Sequence, residues 1–183
     1  MKYQKTVILK DGRTCCLRNG TEKDAEAALA AFVLTHAQTD FLLSYVDELK
    51  TTVSEEGEML RDAEESPCRA EILAEVDGRI AGLAGLHPLG EKEKTRHRAE
   101  LGISIDRAFW GRGVGRALLD SLICLGKSAG YRQLELSVLA ENRRAIELYR
   151  KVGFTEYGRN PRGFLLRTGV FQELVMMRLE LDD

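Results

Sequence analysis

Asp106-Arg107-Ala108-Phe109-Trp110-Gly111-Arg112-Gly113-Val114-Gly115-Arg116-Ala117 joins two segments of different periodicity. Before it, Ala99-Glu100-Leu101-Gly102-Ile103-Ser104-Ile105 reads as a strand. After it, Val114, Ala117, Leu118, Ile123 and Leu125 supply the apolar positions of a helix from about Gly113 to Ala129, closed by Gly130. Three alternate glycines therefore sit where a strand turns into a helix. They carry no side chain to block an approaching group, and the free N–H groups of the helix start, helped by its dipole, suit an anion. Arg112 and Arg116 add positive charge beside them. A structural turn is the competing reading. Gly102 inside the strand points to a bulge or a close approach to the backbone, or else to simple packing.

Other phosphate motifs fail on spacing. A dinucleotide fingerprint needs a small residue where Leu118 stands and an acidic residue ending the next strand. Gly126-Lys127-Ser128 resembles the end of a P-loop, but Ser121 occupies the place of its first glycine and the triplet lies inside a helix.

Working outward, Asp11-Gly12 and Asp77-Gly78 mark hairpins, the second joining strands at Glu71–Val76 and Arg79–Leu86. Thr21 with Asp24 caps a helix over about 22–36, and Ser54 begins an acidic helix that Pro67 ends. Residues 39–45 are apolar without clear periodicity. A strand at Leu134–Leu139 precedes a helix begun by Asn142, and two last strands flank Thr168-Gly169. Residues 1–183 are expected to form one domain, since no linker, repeat or low-complexity segment interrupts them.

With 44% hydrophobic and 31% charged residues, the composition is that of a soluble globular protein. The N-terminus lacks the pattern of a secretory signal, which points to a cytoplasmic location. Cys15, Cys16, Cys68 and Cys124 have no Cys-x-x-Cys spacing and the three histidines form no ligand pair, so no metal is expected. A net charge of -2 argues against nucleic acid as a partner, and no apolar run is long enough for a membrane span. The charge is uneven: residues 1–100 carry 14 Lys/Arg against 19 Asp/Glu, and residues 101–183 carry 13 against 10. An anionic ligand suits the second part.

One strand beyond the glycine loop comes Asn142-Arg143-Arg144-Ala145-Ile146-Glu147-Leu148-Tyr149-Arg150-Lys151-Val152-Gly153-Phe154. Together the two segments resemble, in order, the cofactor motifs of GNAT N-acetyltransferases, and the likeness runs from about Thr14 to Leu179. It implies an α/β fold with a mixed, mostly antiparallel central sheet, helices on both faces and two splayed parallel strands at the cofactor cleft. It also implies acetyl-coenzyme A as co-substrate and an amine as acetyl acceptor. Ile103, Ser104 and Ile105 would meet the acetyl and pantetheine arm. Gly111, Arg112, Gly113, Val114, Gly115 and Arg116 would hold the pyrophosphate, and Asn142 the pantetheine side. Tyr149 would stand near the sulfur as proton donor, with a core aromatic as the plainer alternative. Glu100, beside the acetyl-binding residues, is the candidate for the amine proton, or else a solvated strand residue.

Two positions depart from the family pattern. Trp110 replaces the usual Gln or Arg, with little loss expected because main-chain donors make the cradle. Ser137 replaces the glutamate of the protein N-terminal branch, which favours a small-molecule amine over a peptide amine and a pocket formed by residues 35–67. An acidic run from Asp40 to Glu65 is expected either to draw a cationic amine or to be a solvated surface. A protein N-terminal acetyltransferase and a non-enzymatic acyl-coenzyme A sensor are the alternatives, and a homodimer is compatible with each.

Overall fold

The structure, a computed structural model, describes residues 1–181. In chain order the elements are β1 (Gln4–Ile8), β2 (Thr14–Asn19), α1 (Ala25–Ala37), α2 (Val53–Glu65), β3 (Ala70–Val76), β4 (Arg79–Pro88), β5 (Arg98–Ile105), α3 (Val114–Ser128), β6 (Gln133–Leu139), α4 (Arg143–Lys151), β7 (Thr155–Leu165) and β8 (Phe171–Glu180). Both Asp-Gly pairs form turns, with positive φ at Gly12, Asp77 and Gly78. Thr21 and Asp24 make the expected reciprocal cap, in which the Thr21 N–H donates to the Asp24 carboxylate at 2.9 Å. It closes a short 3₁₀ turn ahead of α1. The acidic helix starts earlier than Ser54: Thr52 is its cap, its hydroxyl accepting from the Glu55 N–H at 3.3 Å.

All eight strands join one sheet in the order β1-β2-β3-β4-β5-β6-β8-β7. Every described pairing is antiparallel except β5 with β6. Side-chain alternation divides the sheet into two faces. On one, Leu86, Leu101, Leu134, Leu136 and Met177 pack with Leu118 and Leu122 of α3 and Ile146 and Tyr149 of α4. On the other, Leu73 and Leu83 pack with Ala25 and Ala28 of α1 and Leu60 of α2. Helices therefore cover both faces of a mixed sheet.

The parallel pair is short. Its register covers Arg98↔Gln133, Ala99↔Leu134 and Glu100↔Glu135, and stops there. From Leu136 onward β6 is held only by β8, while residues 101–105 are held only by β4. The two strands diverge beyond that point.

Of the readings offered for Gly102, the bulge and the packing role are corrected, and an open approach to its backbone is left. Register across β4 and β5 runs without a shift, so there is no bulge, and a Cβ at Gly102 would meet nothing within 4 Å. Gly115 is the glycine that packing demands. A Cβ there would lie 2.9 Å from both Ile105 Cδ1 and Leu148 Cδ2, so its absence lets α3 start close against β5 and α4. Gly115→Val should lower stability by about 1–3 kcal/mol, the usual cost of overpacking, measured by urea unfolding. Unchanged stability would mean that this junction is slack.

Candidate active site

The site begins with the antiparallel ladder between β4 and β5. The Asp106 N–H donates to the Ala81 carbonyl at 3.0 Å, and the Leu89 N–H to the Arg98 carbonyl at 3.1 Å. Those bonds fix the parity: even-numbered β5 residues turn their backbone groups toward β4, and Leu101, Ile103 and Ile105 turn theirs away from it. Because β6 has diverged, the groups of Ile103 and Ile105 open into the gap. The Ile105 carbonyl there accepts from the Trp110 indole N–H at 2.8 Å.

A cleft of about 660 Å³ occupies this gap. Ile103, Ser104 and Ile105 line it, with Trp110, Gly111, Gly113, Gly115 and Arg116 from the glycine loop and Asn142, Ala145, Leu148 and Tyr149 from α4. Thr39, Phe41 and Leu42, which follow α1 on the opposite face, line it too. The cleft thus passes through the sheet. Its walls carry Lys10, Arg116, Arg143, Arg144 and Lys151 against Glu141 and Glu147, an excess of cations suited to an anion.

The three loop glycines have different tasks. Gly111 (φ 79°) and Gly113 (φ 104°) hold left-handed backbone, and Gly113 is the N-cap of α3. Gly115 is the packing glycine already described. The cradle is braced from behind, since the Lys10 N–H donates to the Arg112 carbonyl at 2.9 Å. Arg112 itself turns away from the cleft, donating to the Asp11 carboxylate at 2.6 Å and to the Ala108 carbonyl at 2.9 Å. Together with Arg13 it holds the Asp11 carboxyl far below the usual carboxylate range. Arg116 stays at the cleft while donating to Asp120 at 2.8 Å.

Asn142 caps α4. Its side-chain oxygen accepts from the Ala145 N–H at 3.2 Å, which leaves its NH₂ group for a ligand. Tyr149 is a core residue and a wall of the cleft at once: 6% exposed, with its ring 5.8 Å from that of Phe154. Its hydroxyl bonds no other described residue, and burial pushes its pKa well above the ordinary value. It remains a proton donor throughout the neutral range.

Among the sequence-predicted residues, the cleft brings together Ile103, Ser104, Ile105, Gly111, Gly113, Gly115, Arg116, Asn142 and Tyr149. Val114 is buried in the core and Arg112 faces β1–β2, so neither side chain lines it. Glu100 stands outside the cleft, exposed on the α1/α2 face. Trp110 does more than its main chain predicts, because its ring also carries the guanidinium groups of Arg107 and Arg144 at 5.6 and 5.4 Å.

A second cavity of about 500 Å³ shares Thr39 and Leu42 with the cleft. Its walls are residues 36–48 and 163–166, so the wall expected from 35–67 is only partly right: β7 supplies one side and α2 none. Gln38 places the first wall, donating to the buried Asp106 carboxylate at 2.9 Å and accepting from the Arg107 N–H at 2.8 Å. Arg167 clasps the two walls together. Its guanidinium donates to both oxygens of Asp47 at 2.8 and 2.7 Å and lies 4.1 Å over the Tyr45 ring, while its N–H donates to the Tyr45 hydroxyl at 3.1 Å. No sequence pattern signals Gln38 or Arg167, because each partner lies more than sixty residues away.

The Acetyltransferase (GNAT) family matches residues 31–154, which contain the glycine loop, the diverging strands and α4. The chain belongs to the GNAT acetyltransferase family. A crystal structure of a GNAT acetyltransferase from Streptococcus pneumoniae superimposes with a TM-score of 0.87 at 29% identity, covering 91% of this chain and 99% of that one. The N-alpha-acetyltransferase RimI of Mycobacterium tuberculosis is 33% identical over 51% of this chain and 56% of its own. The L-methionine sulfoximine/L-methionine sulfone acetyltransferase of Salmonella typhimurium is 26% identical over 61% of this chain and 65% of its own. The GNAT chain thus spans less than two thirds of these curated relatives.

The protein's single tryptophan lies in the cleft. Filling it with coenzyme A should change Trp110 fluorescence saturably. Gly113→Glu puts a side chain and a negative charge into the cradle, and should weaken that binding at least tenfold in a variant whose circular dichroism is unchanged. Equal affinity would place the anion elsewhere.

Proposed function

We propose that this GNAT protein transfers the acetyl group of acetyl-coenzyme A to the primary amine of a small, cationic molecule. The observation that carries the reading is the cleft through the sheet, with an anion cradle on one side and a separate cavity on the other. Residues from both faces then meet where β5 presents unpaired main-chain groups.

The residues present suit that co-substrate. Gly111 to Arg116 would receive the pyrophosphate, Asn142 the pantetheine amide, and the backbone of Ile103 to Ile105 the acetyl end. A main-chain N–H facing the thioester carbonyl stabilises the charge that develops on its oxygen. Tyr149 would give its proton to the departing sulfur. Its raised pKa keeps the hydroxyl protonated at neutral pH, and because a thiolate, whose conjugate acid lies near pKa ~8.5, is the weaker base, the transfer is completed only as the amide nitrogen supplies a proton to the Tyr149 oxygen. Such a donor also favours an enzyme over a binding-only acyl-coenzyme A sensor.

The acceptor side supports a small amine over a peptide. The clasp of Arg167 with Asp47 and Tyr45 bridges the two walls of the second cavity, which suits a small molecule better than an extended chain. Three carboxylates line that cavity. Asp47 is neutralised by Arg167, and Glu48 accepts from the Tyr45 N–H at 2.8 Å. Asp40 has no ion-pair partner among the described residues. Glu55, Glu58, Asp62 and Glu65 are exposed on α2 and line neither cavity, so of the acidic run only Asp40, Asp47 and Glu48 line the second cavity.

Two experiments follow. A mass-spectrometric acetylation screen should show transfer to 1,4-diaminobutane or tyramine and little to a Ser-Ala-Ala tripeptide, with KM for the amine rising as salt screens the carboxylates. Preferential acetylation of the peptide would favour the protein N-terminal reading instead. Tyr149→Phe should lower kcat about 10²-fold, in the range of general-acid contributions, and leave coenzyme A affinity within twofold. Asn142→Ala should chiefly weaken the affinity. The reverse pattern would exchange their roles.

A further inference from the structure

On the α1/α2 face, two glycines stand side by side across neighbouring strands, Gly85 of β4 opposite Gly102 of β5. Their missing side chains leave a bare strip of sheet beside the acetyl end of the cleft. Ser104, which lines the cleft, is at one end of the strip; at the other, His87 faces Glu100 in the same ladder. His87 is not extended away from the strip. Its Nε2 and both Glu71 carboxylate oxygens occupy the space over Gly85, where a Cβ would lie 2.8 Å from the nitrogen and 3.0 and 3.2 Å from the oxygens. Glu71 is itself the partner of Gly85 across β3–β4, and its Oε1 lies 3.0 Å from His87 Nε2.

This pair is oriented for proton transfer. Glu71 fixes Nε2 as the protonated nitrogen, which leaves the Nδ1 lone pair free. Ala84, next to Gly85, pairs with Ile103. One strand spacing and one residue rise separate the Gly85 backbone from that of Ile103 by about 6 Å, and the ring stands above that strip, so a bridging water joins it to a group held at Ile103. The His87 side chain is 52% exposed, so a proton taken from the strip can leave to bulk water.

We propose that His87, held by Glu71 over Gly85 and beside the open strip at Gly102, is the catalytic base that removes the acceptor's ammonium proton. This rests on the acetyl-transfer reading above. The ammonium gives one proton to Nδ1, directly or through one water, and becomes a neutral amine. Its lone pair forms the C–N bond to the thioester carbonyl carbon as the C–S bond breaks. The sulfur takes the Tyr149 proton, and the new amide nitrogen returns a proton to the Tyr149 oxygen. His87 passes its own proton to water, so each turnover yields one amide, one thiol and one released proton. Glu100, opposite His87 on the same face, holds the cation beside the ring.

The surrounding charges suit the task. The Glu71 hydrogen bond raises the His87 pKa above its ordinary value of 6.5, and the Glu71 and Glu100 charges add to that, against burial and Arg69. Glu56 reaches the group from α2; burial, and then Glu71, raises its own pKa. A ring titrating above 6.5 is protonated below its pKa and cannot accept, so kcat/KM must fall as the pH drops through that value.

The test is the pH profile of acetyl transfer from acetyl-coenzyme A to 1,4-diaminobutane and tyramine. His87→Gln should lower kcat about 10²-fold at pH 7, remove the histidine limb and leave the KM for acetyl-coenzyme A within twofold. Glu71→Gln should move that limb to lower pH, a change that lost packing would not produce, and it serves should His87→Gln fail to fold. Glu100→Gln should raise the amine KM more than it lowers kcat. A His87→Gln enzyme with wild-type kcat and an unmoved limb would overturn the assignment and leave acetyl transfer standing. A wild-type protein that acetylates neither amine nor the tripeptide would overturn both.

Discussion

The parting of β5 and β6 is the constraint on which the rest of this structure depends. Backbone N–H and C=O groups removed from water need partners, and a strand interior normally supplies them. Here the pairing ends where Glu100 stands opposite Glu135. Arg98 absorbs one of the two charges: it donates to both Glu135 oxygens, which also accept from Tyr157 and Gln133 at 3.1 and 2.9 Å. The paired stretch is thereby locked and the unpaired stretch begins abruptly. Ile103 and Ile105 keep their register through β4 alone, and their other side faces the gap. Trp110 satisfies one of the freed carbonyls. It stands where the family pattern has Gln or Arg, so its side chain contributes something that main-chain donors do not.

A sheet with a gap has two usable sides, and the chain divides them by charge. The α3/α4 side presents helix starts and a surplus of cations. The α1/α2 side presents carboxylates and the histidines His36 and His87. The anionic donor and the cationic acceptor of the proposed function would thus approach from opposite directions, each drawn to its own side. Meeting inside the sheet keeps their phosphates and ammonium groups apart until the reacting atoms are close.

Much of this was legible in the sequence. The Asp-Gly turns, the glycine loop, the cap at Asn142 and both long amphipathic helices are local signals, because a few adjacent residues determine each one. The glycine loop and α4 motif also carried the family, and with it the parting strands. The acceptor side was not legible. Residues 39–45 have no period to read, and their position follows from Gln38 and Arg167, whose partners are distant in the chain. Gly102 shows the same limit. Its meaning lies in Gly85 across the ladder, and only the register reveals that the two glycines share a face. His87 and Glu71 likewise look unrelated until β3 and β4 are aligned.

The brace behind the glycine loop ties this local site to the history of the whole chain. Arg112 and Asp11 are 101 residues apart, so the loop acquires its backing only after the first hairpin has docked beside the later helix. Closing so long a span costs chain entropy that local contacts cannot offset, and such closures come late in folding. A nascent or partly unfolded chain would present the right glycines in the wrong arrangement. A nucleotide held in the finished cradle, as proposed, would link its capture to completion of the fold: it would stabilise the entire domain by mass action, and intermediates lacking the hairpin would compete poorly for it.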